Sequence, residues 1–215
     1  MVERSELSKK AKIWEVETFP GCFSREWAVG DMYGPEGDPY FYFGPSWHVD
    51  MNLINEEIID DLKKNGKSVL SVGSGRYGFL ERFLTDYCGV DKDKVVLSDN
   101  VGQFPDGFTS YKFDFTKEWP DVGRDFDYVL MPESILLSTR FDLELPNHIV
   151  DRLSEDLLSR VVKSSYGVLE PSGQLRMSGL YGVRFISSVE EVVRQKFPKA
   201  RMKYEKSLLL ADMGE

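Results

Sequence analysis

The residues with the most chemical promise lie in Gly73-Ser-Gly-Arg-Tyr-Gly78. This G-x-G-x-x-G pattern follows the apolar run Ser68-Val-Leu-Ser-Val72 and opens a segment with Phe79, Leu80, Phe83, Leu84 and Tyr87 at helical spacing. A strand that ends in such a turn and enters a helix leaves backbone N–H groups free and lets a ligand approach the main chain closely. Three glycines in six residues are more than turning requires. Asp99 lies 21 residues after Gly78 and ends the next apolar run, Lys94-Val-Val-Leu-Ser98. An acid there can accept both hydroxyls of a ribose, so a ribose-bearing cofactor is the implied ligand, either a nicotinamide dinucleotide or S-adenosylmethionine.

Positioning those residues takes an alternating chain. Further strands are predicted at Thr109–Phe113, ending on Asp114, at Phe126–Met131, at Gln174–Met177 after the breaker Pro171-Ser-Gly173, and at Ala200–Tyr204 and Ser207–Met213. The last two are joined without an obvious turn residue, so one of them is expected to be stunted or merged. Helical spacing marks Met51, Ile54, Ile58 and Leu62 from Asp50 to the stop at Asn65-Gly66, then Ile149 to Tyr166, and Ser188 to Phe197. Short apolar strands alternating with helices predict an open, doubly wound, mostly parallel α/β sheet, with helices on both faces. Residues 67–215 are assigned to this cofactor-binding domain and residues 1–66 to an N-terminal cap with a leading helix. Within the cap, Gly30 to His48 has no regular periodicity, carries three prolines and reads as an ordered, aromatic-rich loop.

The order of these pieces resembles the class I, Rossmann-like S-adenosylmethionine-dependent methyltransferases over about residues 67–215. The resemblance rests on Val69-Leu-Ser-Val-Gly-Ser-Gly75 with Glu81 after it, on Asp99, and on Asp114-Phe115. It continues through Phe126-Asp-Tyr-Val-Leu-Met-Pro-Glu-Ser134 and Val168-Leu-Glu-Pro-Ser-Gly-Gln-Leu175. It implies a sheet of about seven strands with an antiparallel strand near the C-terminus. A dehydrogenase would want its own acid–base pair, and none of the ten tyrosines heads a Y-x-x-x-K pattern.

Carried over residue by residue, the resemblance gives Gly73, Ser74 and Gly75, with Gly78 completing the turn, the methionine end of S-adenosyl-L-methionine. Asp99 would take the ribose, with Asn100 beside it in the cofactor set. Asp114 would bond the adenine amino group, Phe115 would offer a backbone N–H or an apolar edge, and Met131 and Pro132 would lie near the reacting methyl. Two residues depart from the family pattern. Ser71 stands where many members have an acid, and Tyr77 occupies the place of a third glycine that here falls at Gly78.

Methyl transfer is an in-line displacement that depends mainly on alignment, and a general base is needed only when the acceptor must lose a proton. Glu133 is the candidate base on the loop after the fourth strand, and His48 is a second candidate proton acceptor. Tyr40, Tyr42 and Trp47, among the acids of the cap, suit a cationic or amine-bearing small molecule through cation–π contact. Trp14 and Trp27 read as packing anchors. Two other readings stand beside methyl transfer: a catalytically silent methyltransferase-like domain that binds a protein partner, and aminopropyl or aminocarboxypropyl transfer in the same pocket.

Composition narrows the partners. The 215 residues carry 36 acids and 27 bases, a formal net charge of −9, which disfavours general nucleic-acid binding. The first 66 residues hold 13 acids and 7 bases, so most of the excess acidity belongs to the cap. Two cysteines without a C-x-x-C pair, and two histidines a hundred residues apart, predict neither a disulfide framework nor a metal site. No signal-peptide pattern or membrane-length apolar run is present. The expectation is a soluble, cytoplasmic protein of open oligomeric state.

Overall fold

A computed structural model describes residues 5–20, 44–100, 102–132, 147–178, 200–205 and 208–212, together with 191 and 194. Its elements, in chain order, are α1 (Glu6–Thr18), α2 (Pro45–Asp50), α3 (Glu56–Lys64), β1 (Val69–Val72) and α4 (Phe79–Arg82). They continue with β2 (Val95–Asp99), β3 (Thr109–Lys112), β4 (Phe126–Met131), α5 (Asn147–Tyr166), β5 (Leu169–Met177), β6 (Arg201–Glu205) and β7 (Leu208–Asp212). The strands form one seven-stranded sheet in the order β3-β2-β1-β4-β5-β7-β6. Pairings from β3 to β5 are parallel, and β7 runs antiparallel to both β5 and β6. The predicted mixed sheet, with its antiparallel strand near the C-terminus, is what is found.

Strand alternation explains the two cores. Leu70, Val72, Val96, Val129, Met131, Leu175 and Met177 face one side and bury Leu157, Val161 and Val162 of α5, with Trp119 from the loop after β3. Val69, Val95, Leu97, Tyr128 and Leu130 face the other and pack against residues of α1, α2, α3 and α4. With both faces covered, β1, β2 and β4 read as near-continuous apolar runs.

Five details differ from the expectations. First, the helix of Ile58 and Leu62 starts at Glu56, after Asn55, whose side chain accepts the Ile58 N–H. Met51 sits instead in the turn before it, where Asn52 has a φ of 57°. Second, Pro45–Asp50, within the presumed aromatic loop, is a short helix with Pro at its first position, where a missing N–H costs nothing. Third, α1 is helical where only charge was evident: Ser5 caps it through the Ser8 N–H, and Leu7, Ala11 and Trp14 form its buried face. Fourth, β5 begins at Leu169, so Pro171-Ser-Gly173 is an irregularity inside the strand, where the register against β4 shifts between Phe126 and Tyr128. A Cβ at Gly173 would lie 2.9 Å from the Glu170 carbonyl oxygen and 3.0 Å from that of Phe126, so glycine lets the strand close there. Fifth, the closing hairpin is complete: β6 and β7 pair in full register from Arg201 with Asp212 to Glu205 with Leu208.

Candidate cofactor site

The strand order reverses direction at β1, which lies between β2 and β4. In such sheets a crevice opens beyond the carboxyl ends of the strands on either side of the reversal. The glycine turn is placed there. Gly73, Gly75 and Gly78 have φ of 78°, 67° and 53°, conformations that an L side chain resists. The Gly73 and Ser74 N–H groups donate to the Ser98 carbonyl at 2.8 and 3.1 Å, which ties the turn to the end of β2. Gly78 caps α4, and a Cβ on it would stand 3.0 Å from Pro105 Cγ and 3.1 Å from Leu97 Cδ2. The displaced third glycine therefore marks where the helix begins.

Asp99 ends β2 facing the turn, and its Oδ2 accepts the Gly75 N–H at 2.9 Å. The carboxylate is half-buried. Asn100 follows and is exposed. At the end of the third strand, Asp114 Oδ1 accepts both the Thr116 hydroxyl (2.6 Å) and the Thr116 N–H (3.0 Å), and Lys117 Nζ lies 3.5 Å from Oδ2. Burial pushes the Asp114 carboxyl up, but those bonds and the Lys117 charge outweigh it and hold it below the ordinary value. Phe115 uses its carbonyl to accept the Trp119 indole N–H and packs against the core. Met131 is buried, with its carbonyl taken by the Ser178 N–H, while Pro132 is half-buried at the exit of β4.

Tyr77 does not stand over the turn alone. Its ring stacks on Phe79 at 5.2 Å, and the Arg76 guanidinium lies 5.8 Å from its centroid. Phe79 meets Phe19 edge-on at 4.7 Å, Phe19 meets Trp14 at 5.4 Å, and Trp14 meets Phe83 at 5.6 Å. The bulky residue at the turn thus joins an aromatic chain that ties the glycine loop to the end of α1.

Beneath the turn lies an unusual acid. Glu81, on α4, is 1% exposed, and among the described residues neither carboxyl oxygen has a geometrically acceptable hydrogen-bond partner. Burial pushes its pKa up to about 7; Ser71 acts to lower it, and the Asp99 charge raises it further. The Ser71 hydroxyl is itself buried, with no geometrically acceptable partner among the described residues. It lies near enough to Glu81 to act on the acid.

The cap residues divide. His48 is buried on α2, and Trp47 beside it is 37% exposed. Tyr40, Tyr42 and Glu133 lie outside the described residues. Two positioning residues escaped the sequence reading. Buried Glu15 accepts the Ser46 N–H at 2.6 Å and so holds the first turn of α2, while pairing with Lys12 at 3.0 Å. Buried Arg176 reaches from β5 to donate to the Leu53 carbonyl (2.8 Å), the Asn52 carbonyl (2.5 Å) and the Gln174 side chain. Both are charged residues among apolar neighbours in sequence, a signal of burial with a partner.

No family model matches the sequence, and no curated protein matches it significantly. The structure does have counterparts. A methyltransferase from Pyrococcus furiosus superposes with a TM-score of 0.54 at 10% identity, over 96% of this chain and 98% of that one. The chain has the class I methyltransferase fold. The sugar N-methyltransferase KedS8 from Streptoalloteichus sp. matches with a TM-score of 0.50 at 11% identity, over 74% of this chain and 85% of that one. TrmN from Thermus thermophilus gives 0.50 at 12% identity over 79% of this chain, which spans about half, 48%, of TrmN. Among the described residues, no group of three or more His, Cys, Asp or Glu is arranged to hold a metal, and no helix is long and apolar enough to cross a membrane.

The crevice suits the cofactor of this fold on its own chemistry. Its turn of three glycines at positive φ allows close approach of a ligand to the main chain, and its nearby side chains, Asp99 and Glu81, are acids. A cofactor with a sulfonium and an ammonium and no phosphate needs that sign of charge.

Proposed function

We propose that this protein binds S-adenosylmethionine beyond the ends of β1, β2 and β4 and directs transfer of its methyl group to a small, amine-bearing molecule. The carrying observation is the turn itself: three glycines at positive φ, with the Gly75 N–H bonded to the carboxylate that ends β2. The bound cofactor would supply an electrophilic methyl on a positively charged sulfur. Gly73, Ser74 and Gly75 would receive its methionine half. Asp99, already oriented by Gly75, would accept the ribose hydroxyls. Asp114 would reach the adenine amino group with Oδ2, since Oδ1 is held by Thr116. Asn100, Phe115, Met131 and Pro132 would complete the walls.

On the acceptor side, residues 1–66 would serve as the cap, with Trp47 offering a half-exposed ring on α2. Tyr40 and Tyr42 would join it, and Glu133, with His48 as the second candidate, would take the acceptor's proton. The acidity of residues 1–66 favours a cationic acceptor over a phosphate-bearing one.

Calorimetric titration with S-adenosylhomocysteine tests the cofactor reading. Saturable one-site binding is expected, and no heat at millimolar ligand would overturn it. A screen of amine acceptors with mass analysis of products then separates methyl transfer from aminopropyl or aminocarboxypropyl transfer. Binding without turnover of any acceptor would leave the silent, partner-binding domain as the reading.

A further inference from the structure

The first turn of α2 is capped from another helix. Gly44, at its N-cap position, has no side chain to offer, and Pro45 at the first helical position has no N–H. Of the N–H groups that open the helix, those of Trp47 and His48 turn back to the Gly44 carbonyl at 3.0 and 3.4 Å. That of Ser46 goes to Glu15 Oε1 on α1, 31 residues away, at 2.6 Å. An N-cap side chain ordinarily accepts from the second or third helical N–H. Ser46 is the second residue of α2, so Glu15 fills that role in trans.

Residue 44 leaves the room for this. A Cβ on Gly44 would stand 2.5 Å from Glu15 Cδ and closer still to Oε1, so the carboxylate occupies the space of the missing cap side chain. Gly44 has a φ of −73° and a ψ of 162°, a backbone that serine, aspartate or asparagine adopts readily. Any of these would cap α2 locally. The chain instead buries the Glu15 carboxylate to 1% exposure and balances it with the Lys12 ammonium at 3.0 Å on the same helix. Such burial carries a desolvation cost. What the trans cap adds, and a local cap cannot, is a fixed placement of α2 against α1.

Trp47 directly follows the capped residue and carries the half-exposed ring assigned above to the acceptor. The same end of α1 is joined to the glycine turn through Trp14, Phe19, Phe79 and Tyr77. We propose that Glu15 is a positioning residue of the acceptor site: it caps α2 in trans and so sets where the Trp47 ring stands relative to the turn that receives the cofactor. This inference rests on the acceptor role given to Trp47 above. Glu15 acts through the Ser46 N–H and α2, and touches neither acceptor nor cofactor.

Three variants of the full chain separate positioning from mere capping. E15A removes the trans cap, whereas E15Q keeps an oxygen there to accept the Ser46 N–H. E15A/G44S supplies a local cap in the space the shortened side chain vacates, and leaves α2 untied to α1. Hydroxyl-radical footprinting with mass spectrometry reads Trp47, with Trp119 as internal reference because its indole N–H is held by the Phe115 carbonyl. In E15A the oxidation of Trp47 should rise about two- to threefold, the most that a ring already 37% exposed can gain, while Trp119 stays constant. E15Q should behave as the unmodified protein. E15A/G44S should regain the urea midpoint lost by E15A yet keep the raised Trp47 oxidation. Its KM for the amines methylated in the acceptor screen should stay about two- to fivefold high, the worth of one exposed cation–π contact, with kcat and S-adenosylhomocysteine affinity unchanged. Recovery of both Trp47 oxidation and KM in E15A/G44S would reduce Glu15 to a helix cap and overturn the inference. So would unaltered Trp47 oxidation in E15A, or an equal rise at Trp119. Methylation of no amine by the unmodified protein would overturn the acceptor reading, and the footprint would then decide whether α1 sets the Trp47 ring. Should E15A not fold, the comparison of E15A/G44S with E15Q decides alone.

Discussion

Raising the pH of the free protein from 5 to 8.5 should lower its stability, and the loss should vanish when Glu81 becomes Gln. The buried carboxyl has a folded-state pKa of about 7 against an ordinary value of 4.5. Below pH 4.5 both folded and unfolded chains hold the proton. Between 4.5 and 7 only the folded chain holds it, so stability falls with each rise in pH, and above 7 the folded state carries a buried charge with no further change. One pKa unit corresponds to about 1.4 kcal/mol, so the span from 4.5 to 7 is worth about 3 kcal/mol. Glu81 is 1% exposed, and solvent screening does little to reduce that figure. The opposing Asp61, held at about 2, has finished titrating below this window. Urea unfolding of both proteins at pH 5, 6, 7 and 8.5 measures the effect. The unmodified protein should lose about 2–3 kcal/mol relative to E81Q across the series, making the variant the more stable at pH 8.5. Parallel stability profiles for the two proteins would refute the buried, proton-holding acid.

Gly78→Ala should destabilise by about 1–3 kcal/mol in urea unfolding, since it adds a strained positive φ to a Cβ contact 3.0 Å from Pro105. Asp61→Asn should cost about 2 kcal/mol at pH 7 and little at pH 2; burial pushes that carboxyl up, but bonds from Lys67, Tyr128 and Asn65 overcome it and hold it at about 2, so its contribution is present above pH 4 and lost as pH falls toward 2. Arg176→Met should leave the Asn52 and Leu53 carbonyls short of donors at about 1–3 kcal/mol each. In hydrogen exchange it should speed amides from Trp47 to Ile58 ahead of those in β1 and β2, and uniform acceleration would contradict the clamp.

What the sequence made legible follows from how much of each feature is local. The strand–turn–helix around Gly73 to Gly78 was readable because glycine spacing and apolar runs encode it within a dozen residues. The sheet's parallel core was readable for the same reason, each buried strand being a short apolar run. By contrast, α1 was hidden because its buried face includes Ser8 and Glu15 while Ile13 and Val16 are 56% and 59% exposed, which blurs the periodicity. Pro171 and Gly173 read as a break, since nothing local tells a bulge inside a strand from a turn before one. Glu81 was visible as part of a resemblance, but its burial emerges only when α4 packs on the sheet. Arg176 and Glu15 act over 123 and 31 residues of chain separation, and such partners are invisible to any window.

Those long-range partners also bear on how the crevice works as a unit. The N-terminal helices are anchored at three places: Glu15 holds the start of α2, Arg176 holds the turn after it, and the Tyr77–Phe79–Phe19–Trp14–Phe83 chain joins the glycine turn to the end of α1. Aromatic pairs of this kind are worth about 0.5–1.5 kcal/mol each beyond their buried area. The Arg82 guanidinium adds a contact 4.7 Å from the Phe19 centroid. The N-terminal helices and the glycine turn thus share one core, on the face of the sheet that also holds Ser71, Glu81 and Asp99. Charge formed at Glu81 would therefore fall within one packed core, so its cost appears in stability. That is why protonation, a local event beneath three glycines, should be readable in the unfolding of the whole chain.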